Sequence, residues 1–468
     1  MTNSPSKSLA ISTLLQLIED YHAFNPGGVE RLPYPTSVEF CKQVSRGRPC
    51  VYRLRRSSER INRDRSRNGD RDRDDGRHVN EAPQSDTDQI RQAEETEILS
   101  CPAFSWTKEQ LCQKVKEDVE VAVTPDGRAD SLYPYPYPYP SQSGNPNNSN
   151  SNSNASQEGP QAGEDQEESK TRSQHAHEDV FVQPATVMMP LSSVLEKICS
   201  ASSTPSPSSA SATGPPDPTP PSTTATETTN SPHPESREPV YYLQSQNSNL
   251  TTTPLAALLA DVPSCIPVAR PVLGDPEAVN IWMGNASSVT STHRDPYENL
   301  YLVIRGKKHF TLWPPCEELC LHAKKVRTAH HVYDTSTSPP SFKIVLDESP
   351  SSTSTSLSED DDEPGPDTCI PWIPIDPINL PPADILNSQY PYYQYSHPLT
   401  VTVSEGEMLY LPSGWFHHVR QDCGVWDDGE VAPCIAVNYW FDMDYEGERY
   451  VMREMLARLA EMTREDNQ

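Results

Sequence analysis

The sequence predicts a mainly β protein, a sandwich or jelly roll, interrupted by long segments that carry no fold signal. Three observations lead there. From Pro239 onward, nine short runs rich in aromatic and β-branched residues follow one another, separated by glycine or polar turns. Only 34% of the residues are apolar and 48 are proline, too little apolar surface to hold all 468 residues in ordinary domains. The pattern is also lost and regained repeatedly, as happens when polar insertions leave one core of roughly 300 residues at surface turns, where long loops cost little.

Residues 1–53 read as the N-terminal helical part of the core. Ile11, Leu14, Leu15 and Ile18 recur at helical spacing, so Ser8 to His22 should form an amphipathic helix, and a patterned segment ends at RPCVYR. Residues 54–97 read as a disordered insertion, dominated by RSSERINRDRSRNGDRDRDDGRH. Its interleaved aspartates cancel much of the attraction its arginines would have for RNA phosphates. A core segment, 98–140, regains order at Cys101. Thr107 and Gln110 make a capping-box pattern, with Trp106 and Leu111 placed as a hydrophobic staple, and the helix should run to about Lys116. VEVAVTPDGRADSL reads as a strand followed by a Pro-Asp-Gly turn. Asp126 and Asp130 lack the rest of a calcium-loop pattern and are read as turn residues. YPYPYPYP, Tyr133 to Pro140, reads as an extended polyproline-like spacer, with docking on an SH3 or WW domain as the alternative.

Residues 141–176 are a low-complexity insertion. Residues 177–200 are a core segment, a strand-like VFVQPATVMMP followed by a helix around Ser193 to Ile198. Residues 201–238 are a Ser/Thr/Pro-rich linker. The main β core spans 239–468 and holds the nine runs: VYYLQSQ, VNIWMGN, SVTSTHRD, NLYLVIRG, KKHFTLW, LTVTVSEG, EMLYLP, WFHHVRQ and IAVNYWF. A disordered insertion at 346–368 interrupts it. A helix from Tyr445 to Met462 closes it, one side marked by Met452, Met455, Leu456 and Leu459.

Charge and cysteine usage exclude several classes. A net charge of −28 argues against nucleic-acid binding, which needs clustered Lys and Arg. Eleven cysteines without a CxxC pair suggest neither a zinc knuckle nor a disulfide framework, but reduced thiols inside a cell. No basic-then-apolar N-terminal stretch reads as a signal peptide, and no apolar run approaches membrane-spanning length. The expectation is a soluble cytoplasmic protein, with the nucleus also open to it.

The chemistry is concentrated in two strings. In SVTSTHRDPYENLYLVIRGKKHF, His293 and Asp295 are two residues apart in a strand-like run, so both should point to one side. EGEMLYLPSGWFHHV supplies His417 from a distant strand. Two imidazoles and a carboxylate on one face of an octahedral ion leave the opposite face open, the facial triad of non-haem iron oxygenases. An H-x-D triplet alone is weak, since most such triplets bind nothing. Lys308, on the next hairpin strand, adds an ammonium able to pair with the distal carboxylate of 2-oxoglutarate; its bland alternative is an exposed turn lysine. Thr290, Asn299, Tyr242 and Asn438 are polar positions that could add hydrogen bonds, each of which alone more often serves structure.

These strings, with CIAVNYWFD, VEVAVTPDGRAD, MPLSSVLE, YYLQSQNSNL, AVNIWMGN and IPWIPIDP, resemble the Jumonji-C family, and within it the small cupin-like hydroxylases, a branch that includes an asparaginyl hydroxylase and a lysyl hydroxylase. The matching pieces cover nearly all of the patterned segments and none of the low-complexity ones. The resemblance implies a double-stranded β-helix (jelly roll) with flanking N- and C-terminal helices. It implies Fe(II) held by His293, Asp295 and His417, with His418 a bystander. It further implies 2-oxoglutarate as co-substrate on Lys308, supported by Thr290, Asn299, Tyr242 and Asn438, and O2 as the second co-substrate. The acidic insertion WDDGEVAP before Asn438 departs from the family's spacing. The implied reaction is hydroxylation of a protein lysine at C3, coupled to decarboxylation of 2-oxoglutarate to succinate and CO2. The implied substrates are developmentally regulated GTP-binding proteins, a class of translation-associated GTPases. A peptidase activity is linked to this branch, but no nucleophile or zinc motif for it is found here. Histone lysine demethylation by the same chemistry and a non-enzymatic scaffold are the competing readings. The C-terminal helix either pairs with its copy in a homodimer or only covers the barrel.

Overall fold

A computed structural model describes residues 5–54, 86–135, 178–200, 238–244, 248–347 and 369–464. The expectations for most of the first insertion, for Pro136 to Pro140, for residues 141–176 and for most of the linker and the last insertion lie outside them. Two sheets dominate. Their strands, in chain order, are β1 (Glu30–Pro33), β2 (Cys50–Arg53), β3 (Arg128–Ala129), β4 (Ala278–Gly284), β5 (Val289–Arg294), β6 (Tyr297–Arg305), β7 (Lys307–Trp313), β8 (Leu399–Ser404), β9 (Glu407–Leu411), β10 (Phe416–Asp422) and β11 (Cys434–Asp442). One sheet has the order β1-β2-β9-β6-β11-β4 and the other β8-β7-β10-β5-β3. From β4 to β11 the chain passes back and forth between the two sheets in a double-stranded β-helix, with β7 and β8 as neighbours in one sheet, and every pairing among these strands is antiparallel.

Period two decides what each strand faces. On β6, Leu300, Leu302 and Ile304 join the core beneath the helical side, whereas Tyr301 and Val303 face the interior between the sheets. On β11, Ile435, Val437, Tyr439 and Phe441 join the first core and Ala436 the second. Both strands are buried on both faces, which is why they read as near-continuous apolar runs. Opposite them, Phe310 and Leu312 of β7, Val401 and Val403 of β8 and Val419 of β10 fill the interior from the other sheet.

The flanking helices cover the barrel. The N-terminal helix, Pro5–Phe24, buries Leu14 and Ile18. Leu14 meets Ala460 of the C-terminal helix, Glu448–Arg464, with Leu456 and Leu459 packed alongside. Met452 and Met455, expected on that same side, are exposed together with Val451 and Met462. The helix carries two apolar stripes, and only one is covered. The capping box at Thr107 and Gln110 is present, and its helix, Lys108–Lys114, ends two residues before the expected stop.

Several boundaries differ from expectation. Residues 86–97, placed in the first disordered insertion, belong to a helix, Asp86–Leu99. Its composition is almost wholly polar and only Glu95 and Ile98 are buried, so the apolar periodicity that reveals a helix is missing. Tyr133 to Tyr135 are not polyproline-like spacer but the end of an edge strand, Ser131–Tyr135, paired with Glu178–Gln183. Pro134 is tolerated because an edge strand has one free side. Pro184 splits VFVQPATVMMP into two strands, Glu178–Gln183 and Ala185–Met189, which join different sheets. The chain also continues as strand to Leu346, and Asp347 pairs with His330 at 2.8 Å, so residues 346–347 belong to the ordered core. Lys324–Asp334 and Ser341–Leu346 form a hairpin beside Glu178–Gln183, an accessory sheet that was not foreseen.

Candidate active site

His293 and His417 face each other across the β5–β10 pair. Thr290 is opposite Val419 and His293 opposite His417, so β5 carries one extra residue, a bulge that re-aims the chain just before the ligand-bearing end. His293 Nδ1 lies 2.8 Å from the Ser291 carbonyl oxygen, and His417 Nδ1 lies 3.1 Å from that of Trp415. Each ring donates from Nδ1 to a backbone carbonyl, which turns Nε2 towards the site. Both Nε2 atoms converge on Asp295, His293 at 3.7 Å from Oδ1 and His417 at 3.6 Å from Oδ2. One donor atom from each of the three residues lies within 4.8 Å of the other two. Burial, reinforced by the neighbouring His293, pushes the His417 imidazole down to about 4, so it is neutral at pH 7, the form a metal requires. This donor set, two imidazoles and one carboxylate, fits a divalent first-row ion such as Fe(II).

Asp295 lies just past the end of β5 rather than within it. Its position is fixed from the other ligand-bearing segment, where the Gly414 N–H donates to the Asp295 carbonyl at 2.9 Å. Gly414 has φ +80°, and a Cβ there would stand 2.8 Å from Arg453 Cδ. The turn is pinned further by buried Glu298, which accepts from Tyr410 Oη at 2.6 Å and from Ser413 Oγ at 2.9 Å, while Arg453 donates to Ser413 Oγ at 2.7 Å. The C-terminal helix thus holds the turn that aims His417. His418 occupies the opposite face of β10, its Nε2 4.0 Å from Asp376.

The interior between the sheets is organised in rungs. Leu399, Leu312, His417 and His293 are cross-strand neighbours; Val401, Phe310, Val419 and Thr290 form the next rung; Val403, Lys308 and Gln421 the deepest. The facing sheet contributes Leu411, Asn299 and Trp440 on one rung and Leu409, Tyr301 and Asn438 on the next. A pocket of about 530 Å3, counting its mouth, opens between them. Thr290, Asn299, Tyr242 and Asn438 line it together with the three ligand candidates. Lys308 lies just beneath the lining, 1% exposed, and its ammonium donates to Tyr242 Oη at 3.1 Å. It is not the exposed turn lysine of the bland alternative. Asn438 accepts from Trp282 Nε1 at 2.8 Å and donates to Asn299 Oδ1 at 3.4 Å. The insertion WDDGEVAP is absorbed in a small hairpin, Gly424–Val425 against Val431–Ala432, and leaves Asn438 in register opposite Asn280.

Sequence reasoning missed Trp282, Trp440, Gln244 and Asp130, all on the pocket wall. Trp440 stacks on Tyr297 at 4.9 Å. Asp130, read as a turn residue, has φ +51° and accepts from Gln244 Nε2 at 3.2 Å. Burial raises its carboxyl pKa, with His293 and the Gln244 hydrogen bond opposing. The signal available was its place just after the Pro-Asp-Gly turn, but its approach to β5 is tertiary.

A jelly roll whose open end gathers two histidines and an aspartate, above a buried lysine, is a cupin-type barrel with a candidate metal site. The chain belongs to the cupin-like domain family, which it matches over residues 98–447, and its domain is of the Jumonji-C kind. It is 39% identical over 208 residues to the human bifunctional peptidase and (3S)-lysyl hydroxylase JMJD7, covering 44% of this chain and 55% of that protein. It is 38% identical over 218 residues to JmjC domain-containing protein E of Dictyostelium discoideum, covering 46% and 57%. It is 37% identical over 210 residues to lysine-specific demethylase JMJ32 of Arabidopsis thaliana, covering 44% and 54%. The chain spans about half the length of these curated relatives. Among the described residues, no helix is long and apolar enough to cross a membrane.

Proposed function

We propose that this protein is an Fe(II)- and 2-oxoglutarate-dependent protein hydroxylase that oxidises a lysyl side chain at C3. One observation carries the reading: His293, Asp295 and His417, remote in sequence, converge at the mouth of a pocket whose floor covers the Lys308 ammonium. Bound Fe(II), with 2-oxoglutarate and O2, would supply the oxidation of a C–H bond coupled to formation of succinate and CO2. The chain supplies the rest. His293, Asp295 and His417 would hold the metal, both imidazoles oriented by backbone carbonyls. Lys308, through or beside Tyr242, would neutralise the distal carboxylate of the keto acid, and Thr290, Asn299 and Asn438 would hydrogen-bond along its length. Phe310, Leu411 and Val419 exclude water from the pocket wall.

The human relative's name supports lysyl hydroxylation, and the identity to it is slightly above that to the Arabidopsis relative named a demethylase. The substrate class that follows is a translation-associated GTPase of the developmentally regulated GTP-binding kind. The exposed Val451, Met452 and Met455 on the C-terminal helix offer the surface for a homodimer. The decisive experiment is anaerobic reconstitution with Fe(II), then exposure to O2 with 2-oxoglutarate and GTPase peptides. The expected result is one added oxygen on lysine and succinate in equal amount, both lost in His417→Ala. Release of formaldehyde from a methylated lysine peptide, without oxygen addition to the unmethylated one, would replace hydroxylation by demethylation.

A further inference from the structure

Asp130 is a carboxylate in the pocket wall with no cation to match it. Asp130 and Asp295 are the acidic residues of the lining, and Asp295 belongs to the metal triad. Among the described residues, no lysine or arginine acts on the Asp130 carboxylate; Gln244 is its side-chain donor and the His293 imidazole its neighbour. Among the described residues, no lysine or arginine lines the pocket. Leaving a half-buried carboxylate short of a counter-charge is costly unless a ligand supplies one.

The backbone that presents this carboxylate is built for the purpose. β3 runs parallel to the start of β5, with Ala129 opposite Thr290. That approach needs Gly127, whose Cβ would lie 1.8 Å from the Ser287 carbonyl oxygen, and it is secured by Val289 N–H donating to the Gly127 carbonyl at 2.8 Å. The Ser291 hydroxyl then donates to the Asp130 carbonyl. The same Ser291 carbonyl orients His293. Asp130 itself adopts the left-handed φ that only Asn, Asp and Gly take readily. One residue, Ser291, therefore indexes the carboxylate against the metal-binding ring.

We propose that Asp130, with Gln244 beside it, receives the ammonium group of the substrate lysine and is what makes the site select a cationic side chain. The assignment of lysine as the substrate rests on the hydroxylase reading above; the assignment of a cation to this wall rests on the pocket alone. The ammonium donates to the free lone pairs of Asp130, and the Gln244 carbonyl oxygen is a further acceptor. Anchored at its tip, the lysine side chain presents its inner methylenes to the metal triad.

The test uses the full chain loaded with Mn(II) and 2-oxoglutarate, and n-butylammonium as a lysine side chain without its backbone. Paramagnetic relaxation of the probe's protons gives its dissociation constant, with 1-butanol as the neutral counterpart. Fluorescence of Trp282 and Trp440, both on the pocket wall, gives a second readout that does not depend on metal loading. Asp130→Asn keeps the left-handed backbone and the side-chain shape. It is expected to weaken butylammonium about tenfold, the scale of one charge-assisted hydrogen bond, and to leave butanol unchanged. Equal weakening of both probes, or loss of Mn(II) affinity with amine affinity intact, overturns the proposal. The two readings fail separately. A wild-type protein that binds the amine through Asp130 yet oxygenates no lysine peptide sinks the hydroxylase reading. Lysine hydroxylation undiminished in Asp130→Asn sinks the role of Asp130 and nothing else.

Discussion

The jelly-roll interior and the accessory sheet both bury histidines, and they do so differently. At the mouth of the barrel, His417 is 5% exposed, its Nδ1 held by a carbonyl and its Nε2 aimed at a carboxylate. In the accessory sheet, His331 is 3% exposed and neither ring nitrogen has a partner; its ring meets Tyr133 and Phe342 edge-on instead. Burial depresses both imidazoles to about 4. A depressed histidine is therefore no mark of a site by itself. What sets His417 apart is one nitrogen tied to the backbone and the other left free to face Asp295 and His293.

The sharpest way to break that comparison is to remove the converging nitrogen. His417→Ala is expected to abolish stoichiometric Fe(II) or Mn(II) binding and to lower 2-oxoglutarate turnover at least about 100-fold, whereas His418→Ala keeps the metal; metal content and succinate release measure both. If His418→Ala loses the metal instead, the facing of β10 is misassigned. Next in size is Lys308→Met, which keeps the length of the side chain and removes its charge. Affinity for 2-oxoglutarate should fall about 10- to 100-fold, with metal content retained. Binding of the keto acid can be followed by its charge-transfer absorbance on Fe(II).

His331 supplies the contrasting test. Its folded pKa, about 4, lies below the ordinary imidazole value of 6.5, so the unfolded chain binds the proton more readily. Its contribution to stability is fully present above pH 6.5 and is lost as the pH falls towards 4. Between pH 7 and pH 5 that loss is about 2 kcal/mol for this residue. His331→Phe should flatten the stability profile over that window, measured by urea unfolding. An unchanged slope would mean that the accessory sheet opens without burying this ring. The smallest effect is expected at the turn that joins the ligand-bearing segments. Gly414→Ala forces a Cβ onto a left-handed residue and against Arg453, at a cost of about 1 kcal/mol in stability. Metal affinity should fall with it, since the same turn holds the Asp295 carbonyl.

Much of the barrel was legible because its strands obey a rule visible in one dimension. NLYLVIRG and IAVNYWF are apolar on both faces, and WFHHVRQ sets His417 two residues from Val419 on one face, so strand and side could be read together. The triad was legible because H-x-D and a distant His carry their chemistry in residue type. The accessory hairpin was not, since KKVRTAHHVYD mixes charge with apolar residues and its parallel partner, Glu178–Gln183, lies far back in the chain. Asp130 was not legible either. Its sequence neighbourhood is that of any turn, and only the parallel contact of β3 with β5 turns it into the pocket.

The division of labour on β6 and β11 has an evolutionary reach. Odd positions on β6 and even positions on β11 face the interior between the sheets, while their immediate neighbours pack the core behind them. Trp440 can be exchanged for another group, reshaping the pocket wall, while Leu300, Leu302 and Tyr439 go on packing the helical side. Divergence of specificity and retention of the scaffold can thus proceed along the same two ribbons, one residue apart.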